Sequence, residues 1–132
     1  MEIQHWLVAL TLTLISLNCR PNNYKGDKTE SPSRKYYFIT TVNRTDKSKQ
    51  DYADLILNLY NSNGEFLSAL NTNASDFSKW VVDWEKRNDT IILNSSDIGI
   101  LAWRIENGKL QRIELNADLK NQAAELKQEK YN

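Results

Sequence analysis

Two Asn-Gly dipeptides, Asn63-Gly64 and Asn107-Gly108, each lie between short runs rich in aliphatic, β-branched and aromatic residues. Asn and Gly accept the positive φ angles that a tight hairpin turn demands, so this arrangement predicts local antiparallel pairing. Around the first dipeptide, residues 54–60 and 65–70 are read as strands. A two-residue turn at Asn63-Gly64 sets Tyr60 opposite Leu67 and Leu57 opposite Leu70. It collects Leu55, Leu57, Leu59, Phe66 and Leu70 on one core face.

The rest of the chain follows the same grammar. Residues 36–43 are dense in aromatic and β-branched side chains, as a strand should be. A second hairpin joins residues 80–84 to 90–94 across a four-residue loop, pairing Trp84 with Ile91 and Val82 with Leu93. Trp80, Val82 and Trp84 then share a face with Ile91 and Leu93, which a one-residue slip would destroy. A third runs from residues 98–105 through Asn107-Gly108 to residues 110–115. Both of its faces are partly apolar: Ile100, Ala102, Ile113 and Leu115 on one, Leu101, Trp103, Ile105 and Leu110 on the other. Such a sheet needs something lying on each side. Residues 117–130 supply a helix, with Asn116 as N-cap, Asp118 in the first turn and a thin stripe of Leu119, Ala123 and Leu126. The predicted fold is mainly β: a small antiparallel, hairpin-built sheet of about seven strands, curled or sandwiched, with one C-terminal α-helix. Residues 80–113 resemble a single β-propeller blade in hairpin order, a likeness that does not recur and implies no function.

The N-terminal third has a different character. Residues 6–17 form an unbroken run of twelve mostly apolar residues, too short at about 18 Å of helix to span a bilayer. Arg20-Pro21 stops any helix just beyond. The segment Ser16-Leu17-Asn18-Cys19 holds the chain's one cysteine and resembles the lipobox of bacterial lipoproteins. Asn18 stands where that pattern has Gly, Ala or Ser, and the first five residues carry Glu2 and no Lys or Arg where a signal is ordinarily basic. The resemblance implies that residues 1–18 are removed and Cys19 is acylated, anchoring the protein to a membrane of the cell envelope, facing the periplasm or the exterior. Two chains or more of acyl group give durable anchoring, and a diacylglycerol meets that condition. Cleavage by an ordinary signal peptidase and an uncleaved short anchor are the competing readings. Residues 19–35, with both prolines and no aliphatic side chain, are read as the lipidated cysteine and a flexible tether with a reach of roughly 20–25 Å. Residues 36–132 form the single domain.

Composition removes several kinds of chemistry. Without residues 1–18 the chain keeps 17 basic and 16 acidic residues, which is no electrostatic footprint for nucleic acid. The one histidine, His5, lies in the signal, and Cys19 would be blocked by lipid. Imidazole bases, thiol nucleophiles and His or Cys metal sites are therefore not expected, nor is any cofactor. With four glycines and no phosphate-binding motif, nucleotide binding is not expected either. Four Asn-x-Ser/Thr triplets, at Asn43, Asn73, Asn88 and Asn94, are read as a product of composition in a chain with 15 asparagines.

Two constellations remain. Trp80, Trp84 and Trp103, with Arg112 opposite Trp103, are either core, as a disulfide-free β domain requires, or an exposed shelf that stacks on a sugar ring or anchors a protein. Asp83, Glu85, Asp89 and Asp97 bracket the second hairpin and are read as turn and solvent-facing carboxylates, Asp97 in an Asx-type turn before Gly99, with paired-carboxylate hydrolysis as the competing role. The leading functional expectation is a lipid-anchored, non-enzymatic protein-interaction domain, of inhibitor or immunity type, binding through its sheet face or edge. A glycan- or peptidoglycan-binding module using the tryptophans, and a structural lipoprotein without a ligand, are the alternatives.

Overall fold

The computed structural model describes residues 23–43 and 53–132; the apolar run of residues 6–17 and Cys19 lie outside them. Among the described residues, nine strands and one helix follow in the order β1 (Asn23–Lys25), β2 (Thr29–Glu30), β3 (Tyr36–Asn43), β4 (Asp54–Asn61), β5 (Phe66–Ser75), β6 (Trp80–Trp84), β7 (Thr90–Ser95), β8 (Gly99–Glu106), β9 (Lys109–Ile113) and α1 (Ala117–Tyr131). The architecture is mainly β: two antiparallel sheets, of five and four strands, with a C-terminal helix and no closed barrel. β1 and β2 both pair with β3, which continues through β4 to β5; the second sheet is the consecutive meander β6-β7-β8-β9.

The two Asn-Gly turns behave differently. Asn107 and Gly108 both take positive φ, 50° and 74°, and Glu106 pairs with Lys109, so the third hairpin closes on two residues as expected. At Asn63-Gly64 the loop is one residue longer. Asn61 N–H donates to the Glu65 carbonyl at 3.0 Å, Gly64 N–H returns to the Asn61 carbonyl, and Gly64 alone takes φ 83°. The Asn61 side chain secures this loop by accepting from the N–H groups of Asn63 and Glu65. Tyr60 is thereby set against Phe66, not Leu67, and a bulge between Leu59 and Tyr60 restores the expected pairing of Leu57 with Leu70. Phe66 consequently leaves the core face on which the two-residue turn would have placed it, and it is exposed.

In the second hairpin, Trp84 pairs with Ile91 and Val82 with Leu93, and Glu85 N–H donates to the Thr90 carbonyl at 2.7 Å to close the four-residue loop. The inner faces of both sheets then form one core, with Phe38, Val42, Leu55, Leu57 and Leu59 from the first sheet meeting Trp84, Ile91, Leu93, Trp103 and Leu110 from the second. The Phe38 and Trp84 rings lie 5.5 Å apart across it. Side chain to backbone bonds fasten the margins: Trp84 Nε1–H to the Thr29 carbonyl at 2.9 Å, and Ser68 Oγ–H to the Gly108 carbonyl at 2.8 Å. The arrangement is a sandwich.

The other apolar face of the second sheet receives the helix. Ile92 and Ala102 are buried against Leu119 and Ala123, with Ile100, Ile113, Leu115 and Leu126 around them. Asn116 caps the helix by accepting from Leu119 N–H at 2.8 Å. A polar residue joins that buried stripe: Gln122, which the apolar spacing does not mark.

One correction concerns the chain before Tyr36. Residues 19–35 were expected to be tether, but β1 and β2 pair antiparallel with β3, from Asn23 opposite Asn43 to Glu30 opposite Tyr37. Ser31 is buried, and its N–H donates to the Tyr36 carbonyl. Backbone pairing to an otherwise open strand needs no aliphatic side chain, which is why composition misses it. Strand pairing among the described residues reaches back to Asn23.

Candidate functional site

Among the described residues, the second sheet is covered on both faces, whereas the first is covered on one. Phe38, Thr40 and Val42 of β3 and Leu55, Leu57 and Leu59 of β4 point inward and are buried. Their alternates face outward, with Tyr37 beside Tyr60 and Tyr60 beside Phe66 across β3, β4 and β5. Tyr37 and Tyr60 stack with ring centroids 4.9 Å apart and an interplanar angle of 7°. Phe66 meets Tyr60 edge-on at 5.7 Å, and the Lys28 ammonium sits 4.2 Å from the Tyr37 centroid. Aromatic pairs like these contribute about 0.2–1 kcal/mol each to strand pairing.

Further along this face, Asn58 donates to the Ile39 carbonyl and to Thr41 Oγ1 at 3.0 and 2.9 Å. Tyr24, Lys25, Thr41, Ile56, Asn58 and Ala69 border a shallow groove of about 450 Å³ there. The face thus combines a ring stack, half-buried aliphatics and a few amide and hydroxyl groups. That mixture suits a protein surface, where aromatic anchors sit beside polar contacts. It suits a sugar less well, since the stacked tyrosines cover each other's faces and turn their edges outward.

The tryptophans go elsewhere. Trp84 and Trp103 are buried in the sandwich core, so no shelf of three indoles forms. The core alternative is the one realised for them. Arg112 does pair with Trp103 in register, but it lies exposed on edge strand β9 while the indole points inward. Trp80 is half-buried, with the Lys130 ammonium 3.8 Å from its ring. The Tyr131 hydroxyl accepts from Trp80 N–H and donates to the Trp80 carbonyl, both at 2.8 Å, which satisfies the outward backbone groups of Trp80 on edge strand β6.

The four carboxylates are spread among separate structural tasks. Asp83 accepts from Trp84 N–H at 2.7 Å. Asp89 accepts from Ser33 N–H and Oγ–H, tying the loop to the segment before β3. Asp97 does not form the expected Asx turn; it accepts from Ser95 Oγ–H and, at 2.8 Å, from Ser75 N–H, joining the two sheets. Glu85 is buried beneath the β6–β7 loop and accepts from the N–H groups of Arg87 and Asn88 at 3.2 and 2.6 Å. Gln122 Nε2–H donates to Glu85 at 3.0 Å and to Asp118 at 2.9 Å, while Gln122 Oε1 accepts from Lys86 N–H. Burial alone would push the Glu85 carboxyl up, but the donors from Gln122, Arg87 and Asn88 outweigh it and hold the group below its ordinary range. A cavity of about 420 Å³ opens over this cluster, and its polar walls belong to a fastening between helix and loop. Among the described residues, no group of three or more His, Cys, Asp or Glu side chains is placed to hold a metal ion.

Compared with protein-family models, curated proteins and solved structures, the chain returns no match.

Proposed function

We propose that this chain is a lipid-anchored lipoprotein of the cell envelope whose domain binds another protein, without catalysis, through the outer face of its first sheet. The observation that carries the reading is the asymmetry of covering. Among the described residues, a whole helix closes the second sheet, while nothing lies over the half-buried Tyr37 and Tyr60 and the exposed Phe66 on the first. Aromatic residues of this kind are the usual energetic anchors of a protein interface. The lipobox-like segment ending at Cys19 supports the placement, and an inhibitor or immunity role toward an envelope-directed toxin or hydrolase fits a small anchored domain with no histidine or cysteine after Cys19.

The test is a photo-crosslinking amino acid at position 37 in intact cells. The expected result is one discrete protein adduct, whose yield falls about tenfold or more on combining Tyr60→Ala with Phe66→Ala. No adduct at position 37, or an adduct indifferent to those truncations, would sink the reading. A glycan role for the same face would instead make peptidoglycan fragments protect Tyr60 from chemical modification.

A further inference from the structure

We infer that the end of the sandwich where β1 begins rests on anionic phospholipid headgroups. The inference depends on the proposed acylation of Cys19 and adds to it an orientation and a second contact with the membrane.

Four of the five large apolar side chains that are well exposed among the described residues gather at this end: Tyr24 (45%), Phe77 (53%), Ile98 (38%) and Tyr131 (38%). The fifth, Phe66, lies on the outer sheet face next to the Asn63-Gly64 loop. Hydrogen bonds hold the group together. Ser96 N–H donates to the Lys79 carbonyl at 2.9 Å, joining the β7–β8 turn to the β5–β6 connection, and the Tyr131 hydroxyl grips Trp80. Tyr24 and Trp80 border a common hollow of about 230 Å³ with Val42 and Asp76.

Lys79, Lys127 and Lys130 stand among these rings. Lys130 lies over the Trp80 and Tyr131 rings and Lys79 over Tyr131, while Lys127 Nζ–H donates to Ser96 Oγ at 2.6 Å. Ion pairs within 4.0 Å engage none of the three among the described residues. Asp76 and Asp97 lie in the same connections, and both accept from backbone N–H groups, of Ala53 and Ser75. Indole and phenol rings interleaved with ammonium groups are the chemistry of a membrane interface, where the rings sit at headgroup depth and the cations meet phosphate.

Chain length supplies the orientation. Four peptide links separate Cys19 from Asn23, which allows at most about 14 Å. The headgroup layer on each side of a bilayer is itself about 5–8 Å thick. An acylated Cys19 therefore brings the start of β1 down to that layer, whereas a 16-residue tether would have let the domain turn freely. Tyr37, Tyr60 and Phe66, at the other end of the first sheet's outer face, are left away from the lipid, available to a protein partner.

The experiment uses the mature acylated protein with phosphatidylcholine vesicles, with and without a minority of phosphatidylglycerol, and with brominated acyl chains as quencher. Trp80 is the half-exposed indole, so quenching should appear in the anionic vesicles, disappear in Trp80→Phe and weaken strongly in K79E/K127E/K130E. Each lysine removed from an anionic surface lowers partition about fivefold. Far-ultraviolet circular dichroism of the triple variant should match wild type, since all three ammonium groups are on the surface. Protein that fails to float even with neutral vesicles removes the anchor, and the orientation with it. Protein that floats without Trp80 quenching keeps the anchor and overturns the docking, as would a dimer that buries Trp80 in the absence of lipid.

Discussion

The two sheets of this sandwich are built from the same hairpin grammar but solve opposite problems. In the second, Ile92 and Ala102 alternate with Ile91, Leu93 and Trp103, so both faces are apolar, and the fold pays for neither in exposure because α1 lies on one and the first sheet on the other. In the first, the inward alternates are Phe38, Leu55, Leu57 and Leu59, while the outward ones are Tyr, Phe, Asn and Thr with a little Ile. A strand with apolar residues on both faces announces a second covering layer. A strand whose outer face is aromatic and amide-rich can stay open to water and still offer a partner something to hold.

The largest expected effect sets the covered face against the open one. Ile92→Ala empties a site with no exposure between sheet and helix and should cost about 2–5 kcal/mol in urea unfolding. A loss below about 1 kcal/mol would mean that α1 is not a true layer of the fold. Next comes the polar fastening of that layer. Gln122→Leu strips Glu85 of its side-chain donor and should cost about 1–3 kcal/mol, because a buried carboxylate is left short of partners.

Acid should reveal the same fastening. The Glu85 carboxyl titrates lower in the fold than in the unfolded chain, so its stabilisation is present above its unfolded value and is lost as pH falls through the folded one. Below about pH 4, stability should therefore fall more steeply in wild type than in Glu85→Gln, and parallel curves would show that the group contributes nothing to the pH response. The smallest effect belongs to the open face. Phe66→Ala should change stability by no more than about 0.5 kcal/mol while weakening partner capture, and a large stability loss would reclassify that ring as core.

What could be read from the residues alone tracks the kind of force involved. The register of β6 with β7, the two-faced third hairpin and the helix cap all follow from side-chain periodicity and loop length, and Trp84 does pair with Ile91. Features settled by backbone hydrogen bonds were invisible. β1 and β2 join β3 with hardly an apolar residue between them, and the extra residue in the Asn61–Glu65 loop moved Phe66 to the other face although Leu57 still meets Leu70. Asn73, at φ 62° in a further irregularity of β5, is of the same sort. For the candidate site, two of the three tryptophans of the alternative binding shelf are buried. Indoles of this size repay burial best, so Trp84 and Trp103 fill the core, and the tyrosines, with hydroxyls that tolerate water, are the rings left outside.

The grip of Tyr131 on Trp80 bears on how copies of this protein meet when they are concentrated. A ribbon of main chain with unmet donors and acceptors templates the addition of another ribbon, and from there a fibre can grow. Here the Tyr131 hydroxyl occupies both outward groups of Trp80, the Lys130 ammonium shares that carbonyl, and the Asp83 carboxylate takes the Trp84 N–H. Replacing that phenol with Phe would free the Trp80 N–H and leave its carbonyl to Lys130 alone, opening one end of the β6 edge to pairing with a second copy.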